Sequence, residues 1–163
     1  MDAGSTGFDG YLDYSGTGLV NELSYFNPPL GDDVAMPPAG YNFYLNDAAG
    51  YAAQLPSNVT IDAGKAIVWF GASDCGGFTA AHLTVETSSS DASTVVRYGD
   101  YAGGLDNASL TATTGAAGGR ILNVPGTTTV LTLTDPAGPT TVGTKSVVLR
   151  PGAFTEVALA PSP

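Results

Sequence analysis

Hydrophobic and polar residues alternate along this chain over short stretches, which are separated by Gly, Pro, Asp and Ser. Almost no stretch has apolar residues at i, i+3, i+4 and i+7, the spacing of an amphipathic helix, whereas short β-branched runs recur throughout. The pattern predicts an all-β fold. The clearest predicted strands are 66–71, 82–87, 93–98, 109–114, 120–124, 127–134, 143–149 and 154–159, and 8–14, 20–25 and 42–45 could be further strands.

Two of these strands carry a readable burial pattern. The run 66–70 is apolar on both faces, which is typical of a strand in the middle of a packed sheet, so Trp69 or Phe70 must face the core. The run 82–86 alternates instead, and this alternation predicts that Leu83 and Val85 point inward. In 127–134 the apolar Val130 is out of phase with its neighbours, which leaves the inward face of that strand open.

The turn residues predict how the strands connect. Gly118-Gly119 can supply the positive φ values of a hairpin turn, and Pro151-Gly152 fits the two central positions of a type II turn. We expect both connections to be antiparallel hairpins. The stretch 100–107 contains Gly103-Gly104 and is expected to be a mobile loop.

Composition changes near residue 62. Residues 1–62 hold most of the aromatic residues and two proline pairs, and the remainder, 63–163, is aromatic-poor and rich in threonine. Because proline pairs interrupt helices and sheets, 27–40 is expected to be an extended loop. The N-terminal part is thus predicted to be an aromatic- and Pro-rich β extension, and the pattern leaves open whether it forms a separate small sheet or adds strands to the sandwich.

The charge of the chain limits its partners. Fifteen acidic and five basic residues give a formal net charge of −10, which repels both phosphate backbones and anionic membrane surfaces.

The scarcity of charge and the abundance of Gly, Ala, Thr and Ser are typical of exported bacterial proteins, so we expect an extracellular or cell-surface location. No apolar run reaches the roughly 20 residues of a spanning helix, and residues 1–10 lack the features of a leader. We interpret Met1 as replacing the end of a removed leader, and a lipid anchor at the native N-terminus is compatible with this.

Three stretches carry a resemblance to a known family. TATTGAAGGRILNVPGT (111–127) has a Thr-rich strand, a Gly-containing turn, an apolar strand and Pro-Gly, while GTKSVVLRPGAFTEVAL (143–159) has the form of a closing hairpin and DCGGFTAAHLTVE (74–86) that of an opening strand. Together, over residues 65–160, they resemble the carboxypeptidase-regulatory-like, transthyretin-type β-sandwich, and this resemblance implies an antiparallel β-sandwich of the prealbumin-like or immunoglobulin-like kind. The resemblance implies an accessory domain that aids folding, spacing or adhesion, and it contains no catalytic motif.

The residues offer little for catalysis. His82 is the single histidine, and no Gly-x-Ser-x-Gly motif accompanies it, so we expect a surface histidine and no enzyme activity. Cys75 is the single cysteine and is expected to be an inert thiol. Lys65 and Lys145 could form an isopeptide cross-link beside Glu86 or Glu156, although an ordinary surface role is the simpler expectation for both lysines.

Metals are limited by the same inventory. One His and one Cys are too few for zinc or copper sites that are built from several such ligands. No cofactor is predicted, and calcium is the one metal that the oxygen ligands allow. Its candidate ligands are Asp32, Asp33 and Asp47.

Two functions remain. The first is a non-enzymatic structural or interaction module that adheres to a protein partner or associates with itself, with its specific function in the N-terminal part. The alternative is a carbohydrate-binding module, because exposed aromatic rings stack on sugars and amide side chains bind their hydroxyls. The candidate binding residues are Tyr41, Phe43, Tyr44 and Asn46.

Overall fold

The fold is all-β, as predicted, and its strands form two sheets. The computed structural model describes residues 10–25, 52, 54–74, 80–100, 104–115, 118–138 and 140–161. These residues contain ten strands: β1 (Tyr11–Tyr14), β2 (Glu22–Tyr25), β3 (Ala66–Ala72), β4 (Thr84–Thr87), β5 (Val95–Asp100), β6 (Gly104–Asn107), β7 (Gly119–Val124), β8 (Thr128–Asp135), β9 (Thr140–Val148) and β10 (Phe154–Leu159). Within the described part, no helix has the length and apolar character needed to cross a membrane.

The two sheets differ in size. The larger has seven strands in the order β1-β2-β10-β3-β7-β5-β6, and the smaller has three in the order β4-β8-β9. Strand β10 is parallel to both of its neighbours, β2 and β3, while the other pairings are antiparallel. The larger sheet is therefore mixed. The hairpin of β1 and β2 belongs to this sheet through its contact with β10.

The hydrophobic core lies between the sheets. Val68 and Phe70 of β3, Ile121 of β7 and Leu131 and Leu133 of β8 have no exposed surface. Alternation explains this arrangement, because every second residue of each strand points to the same side. The Val85 N–H donates a 3.0 Å hydrogen bond to the Tyr98 hydroxyl and so joins β4 of the smaller sheet to β5 of the larger one.

Several predicted details are confirmed. Strand β10 has the predicted bounds, and β3 is a central strand between β10 and β7. Leu83 and Val85 are buried, whereas Val130 is 40% exposed while its neighbour Leu131 is fully buried. Phe70, rather than Trp69, is the aromatic residue of β3 that packs in the core between the sheets.

Two element predictions are wrong. No strand forms over 109–114, where a turn and the isolated bridge between Ala81 and Thr114 are found instead. The stretch 100–107 is not a loop throughout, because β5 ends at Asp100 and β6 runs from Gly104 to Asn107. A pair of glycines is typical of a loop, but here Gly104 begins an edge strand because it pairs with β5.

Neither predicted hairpin turn forms a hairpin. Gly118 and Gly119 lie at the start of β7, where a side-chain carbon would collide with the Phe70 and Arg97 main-chain oxygens, so these glycines allow close strand packing. Pro151-Gly152 is a turn, since Gly152 has φ 69° and the Ala153 N–H donates to the Arg150 carbonyl at 3.0 Å. It carries the chain from β9 in one sheet to β10 in the other, so the two strands it joins are not paired.

Candidate functional site

The outer face of the seven-stranded sheet, which is turned away from the smaller sheet, has a hydrophobic layer of its own. Ile67, Leu122 and Phe154 are buried there, and Trp69 lies against Phe154 with ring centroids 5.5 Å apart. Residues 54–61, which we call the strap, contribute Leu55, Val59 and Ile61 to this layer. The outer face is therefore covered over part of its area, and polar groups placed on it are removed from water.

A row of polar and charged residues crosses this face. Strand register places Ser24, Glu156, Trp69, Arg120 and Arg97 side by side on β2, β10, β3, β7 and β5. Directly paired side chains on one face of a sheet are close enough to interact. We call these five residues the polar row. It carries negative charge at one end and positive charge at the other, with an indole ring between.

Carboxyl groups gather at the negative end of the polar row. Glu22 is only 7% exposed, and the Ser24 hydroxyl donates a 2.7 Å hydrogen bond to its Oε1. Loss of solvent, the negative charge of Glu22 and a hydrogen bond with Glu22 together raise the pKa of Glu156. Part of the Glu156 side chain remains exposed, so solvent screens some of this repulsion. The nearby carboxylate of Glu22 therefore favours the protonated form of Glu156.

Tyr14 of β1 belongs to the same group. Its register partner is Glu22, and burial, followed by the charges of Glu22 and Glu156, raises the pKa of its phenol. The phenol therefore stays protonated and can donate a hydrogen bond. We call Tyr14, Glu22, Ser24 and Glu156 the carboxyl seam, because it lies where the β1–β2 hairpin meets β10.

Arg120 defines the positive end of the polar row. The residue is fully buried, its guanidinium carbon lies 5.5 Å from the Trp69 ring centroid, and it donates hydrogen bonds to the main-chain and side-chain oxygens of Gln54. A guanidinium over an indole ring is a favourable cation–π contact, more so away from water. Arg120 thus fastens the strap to the sheet.

Asn123 makes a second attachment for the strap. Its Oδ1 accepts from the Asp62 N–H at 2.9 Å, and its Nδ2 donates to the carbonyls of Thr60 at 2.9 Å and Ser93 at 3.1 Å. The residue is 2% exposed and has φ 58°, a left-handed conformation that asparagine tolerates better than most residues. Sequence reasoning missed it, although an asparagine inside the apolar run ILNV was the available signal.

Lys65 lies at the surface, in a small ionic group. Its Nζ is 2.6 Å from an Asp91 carboxylate oxygen and 2.7 Å from the Ser93 hydroxyl. The hydrogen bond from Lys65, followed by those from Ser93, lowers the pKa of Asp91 to about 2. The two acids that were expected to assist an isopeptide cross-link lie on different strands. Glu86 is exposed on β4, and Glu156 belongs to the carboxyl seam.

Most of the residues predicted to form a site cannot be compared with this geometry. The calcium candidates Asp32, Asp33 and Asp47, the sugar-binding candidates Tyr41, Phe43, Tyr44 and Asn46, and Cys75 all fall outside the described residues. His82 is exposed, with φ 64°, and its N–H donates to the Thr113 carbonyl at 2.7 Å. Among the residues that the structure describes, no group of three or more His, Cys, Asp or Glu could hold a metal ion.

Comparison with known proteins adds no relative. No family model, no curated protein and no solved structure matches this chain. The interpretation of the site therefore depends on its own geometry. Within the described residues, Arg120 and Asn123 are buried polar residues whose hydrogen bonds join separate elements of the fold.

Proposed function

We propose that this chain is a non-enzymatic structural or interaction module of a secreted or cell-surface protein, and that it associates with a second copy of itself. The proposal is supported by the structural role of three polar residues. The hydrogen bonds of Arg120, Asn123 and Lys65 hold the strap and the loops in place. Interaction through a sheet edge requires no catalytic group, since main-chain N–H and C=O groups supply the bonds.

The observation that carries this proposal is the position of β9. It has nine residues, Thr140–Val148, and it is the outermost strand of the smaller sheet, where the described part of the chain pairs it with β8 alone. A strand at a sheet edge presents unpaired main-chain groups that accept another strand. The other outermost strands, β1, β4 and β6, have four residues each and offer less.

Charge favours β9 as the contact between two copies. Each copy carries a net charge of −10, so most of the surface repels a second copy. Strand β9 reads TTVGTKSVV and contains no acidic residue. Thr and Val are also good strand formers, which suits pairing across the edge.

The family resemblance leads in the same direction. A carboxypeptidase-regulatory-like domain would act in folding, spacing or adhesion, and we extend that role to this chain as part of the proposal. The calcium and sugar sites stay predictions, because their residues are outside the described ranges.

Light scattering on the full chain tests the association. We expect a mass above the 16.4 kDa of one copy at high protein concentration, and Thr144→Lys should reduce it by placing like charges opposite each other across paired edges. Thr132→Lys is the matched control, because Thr132 pairs with Thr144 but lies on the central strand β8. A mass of one copy at every concentration would refute self-association, and retention on cellulose, chitin or peptidoglycan would favour the carbohydrate alternative.

A further inference from the structure

Within the described residues, the β1–β2 hairpin pairs with the larger sheet along one short line, that of β2 and β10. Strand β2 pairs with β10 over three registered residues, beginning with Glu22 opposite Phe154. On the side facing the smaller sheet, Leu23 is fully buried and the Val148 N–H donates to the Tyr25 hydroxyl at 2.6 Å. Because only three residue pairs connect β2 and β10, a change at one of them should affect the docking of the hairpin strongly.

The carboxyl seam lies on this line. Glu156 of β10 is directly opposite Ser24 of β2, and Glu22, one strand position away on the same face, is hydrogen-bonded to Ser24. One acidic residue thus belongs to the hairpin and the other to the sheet that receives it. Protonated, the two carboxyls can hydrogen-bond to each other across the line, and doubly ionised they repel.

We propose that protonation of the Glu22–Glu156 pair controls how firmly the β1–β2 hairpin docks on β10, with firm docking in mild acid and looser docking at neutral and higher pH.

The other groups that face this pair do not change their charge over the same pH range. From β1 the facing group is Tyr14, whose phenol has a raised pKa and stays neutral. From β3 it is Trp69, which does not titrate, and Arg120 of β7 lies beyond the indole ring and stays charged. These are the facing titratable and charged groups among the described residues.

The direction of the effect follows from linkage. The pKa of Glu156 is raised above its ordinary value of 4.5, so the pair's contribution to docking is fully present below pH 4.5 and is lost as the pH rises through the raised value. A second pair acts in the opposite direction on the same hairpin. Arg150 donates to Asp13 at 3.0 and 2.7 Å, which lowers the pKa of Asp13 below 3.8, and this bridge is lost only in stronger acid. Docking should therefore be firmest in mild acid.

Hydrogen exchange of the full chain, followed by mass spectrometry and corrected for the intrinsic rate at each pH, measures docking directly. We expect protection of residues 11–25 to fall between pH 4.5 and pH 8, by about tenfold for each unit by which the pKa is raised, while protection of β7 stays constant. Glu156→Gln should abolish this fall, because the amide keeps a hydrogen-bonding group but does not titrate. Glu86→Gln, at an exposed position on the smaller sheet, should leave the fall unchanged.

Glu22→Gln is the second variant, for use if Glu156→Gln folds poorly. It should reduce the same fall, because it removes the charge of Glu22 but leaves the burial of Glu156 unchanged. The proposal is overturned if the protection of residues 11–25 does not change with pH in the unmodified chain. It is overturned as well if this protection falls as steeply in Glu156→Gln and Glu22→Gln as in the unmodified chain. It is also overturned if residues 11–25 and β7 lose protection together, since the pair would then act on the whole fold.

Discussion

Asn123 and Arg120 show how single buried polar residues organise this fold. Each lies on β7, and each binds main-chain atoms of the segment that covers the outer face: Asn123 binds Thr60 and Asp62, and Arg120 binds Gln54. A buried polar group is costly unless it is hydrogen-bonded, and these bonds offset part of that cost. Their position in the sequence did not predict this, because the partners lie more than 60 residues away.

Replacing Asn123 should destabilise the protein markedly. Asn123→Ala removes three hydrogen bonds and leaves a residue with a side-chain carbon at φ 58°, so we expect a loss of about 2–4 kcal/mol in the free energy of unfolding. Urea denaturation measures it. Asn58→Ala, at an exposed position of the strap, is the control and should change stability by less than about 0.5 kcal/mol. Equal effects in the two variants would contradict the role given to Asn123.

Strands with a clear periodic pattern were the part of the fold that the sequence could predict. Strands β3, β8 and β10 combine β-branched residues with regular burial, and their predicted bounds are within about one residue of those observed. Strand β6 and the bridge at Thr114 were not predicted, because pairing with distant parts of the chain determines them rather than the local pattern of apolar residues. The same holds for the carboxyl seam and the polar row, which strand order alone creates.

Close packing among β3, β5 and β7 yields a prediction at the scale of the element. A side-chain carbon at Gly119 would lie 2.6 Å from Phe70 Cζ and would also collide with the Arg97 carbonyl oxygen. Gly119→Ala should therefore cost about 1–3 kcal/mol or more, because the core must shift to admit it. Gly71→Ala on the neighbouring strand β3 is the control, since nothing lies within 4 Å, and it should be neutral or stabilising by up to about 1 kcal/mol. Thermal denaturation of both variants is sufficient, and the idea fails if Gly119→Ala is as stable as Gly71→Ala.

At the scale of the whole molecule, excess negative charge opposes the association proposed for β9. The net charge is −10 and the isoelectric point is near 4.1, so two copies repel each other at neutral pH wherever salt is low. Pairing of two edges brings whole molecules together, not only the two β9 strands, which lack acidic residues. The balance between edge pairing and repulsion should therefore depend on ionic strength.

The mass of the full chain in solution should accordingly rise with salt. The screening length falls from about 30 Å at 0.01 M to about 10 Å at 0.1 M, so repulsion between two copies is much reduced while main-chain hydrogen bonds are little affected. Light scattering at pH 7 and constant protein concentration should show a larger average mass at 0.1 M than at 0.01 M. Thr144→Lys should stay closer to one copy at both salt concentrations, whereas Thr132→Lys should follow the unmodified chain. If added salt instead lowers the mass, ion pairs across the contact hold the copies together, and main-chain pairing of β9 edges is the wrong explanation.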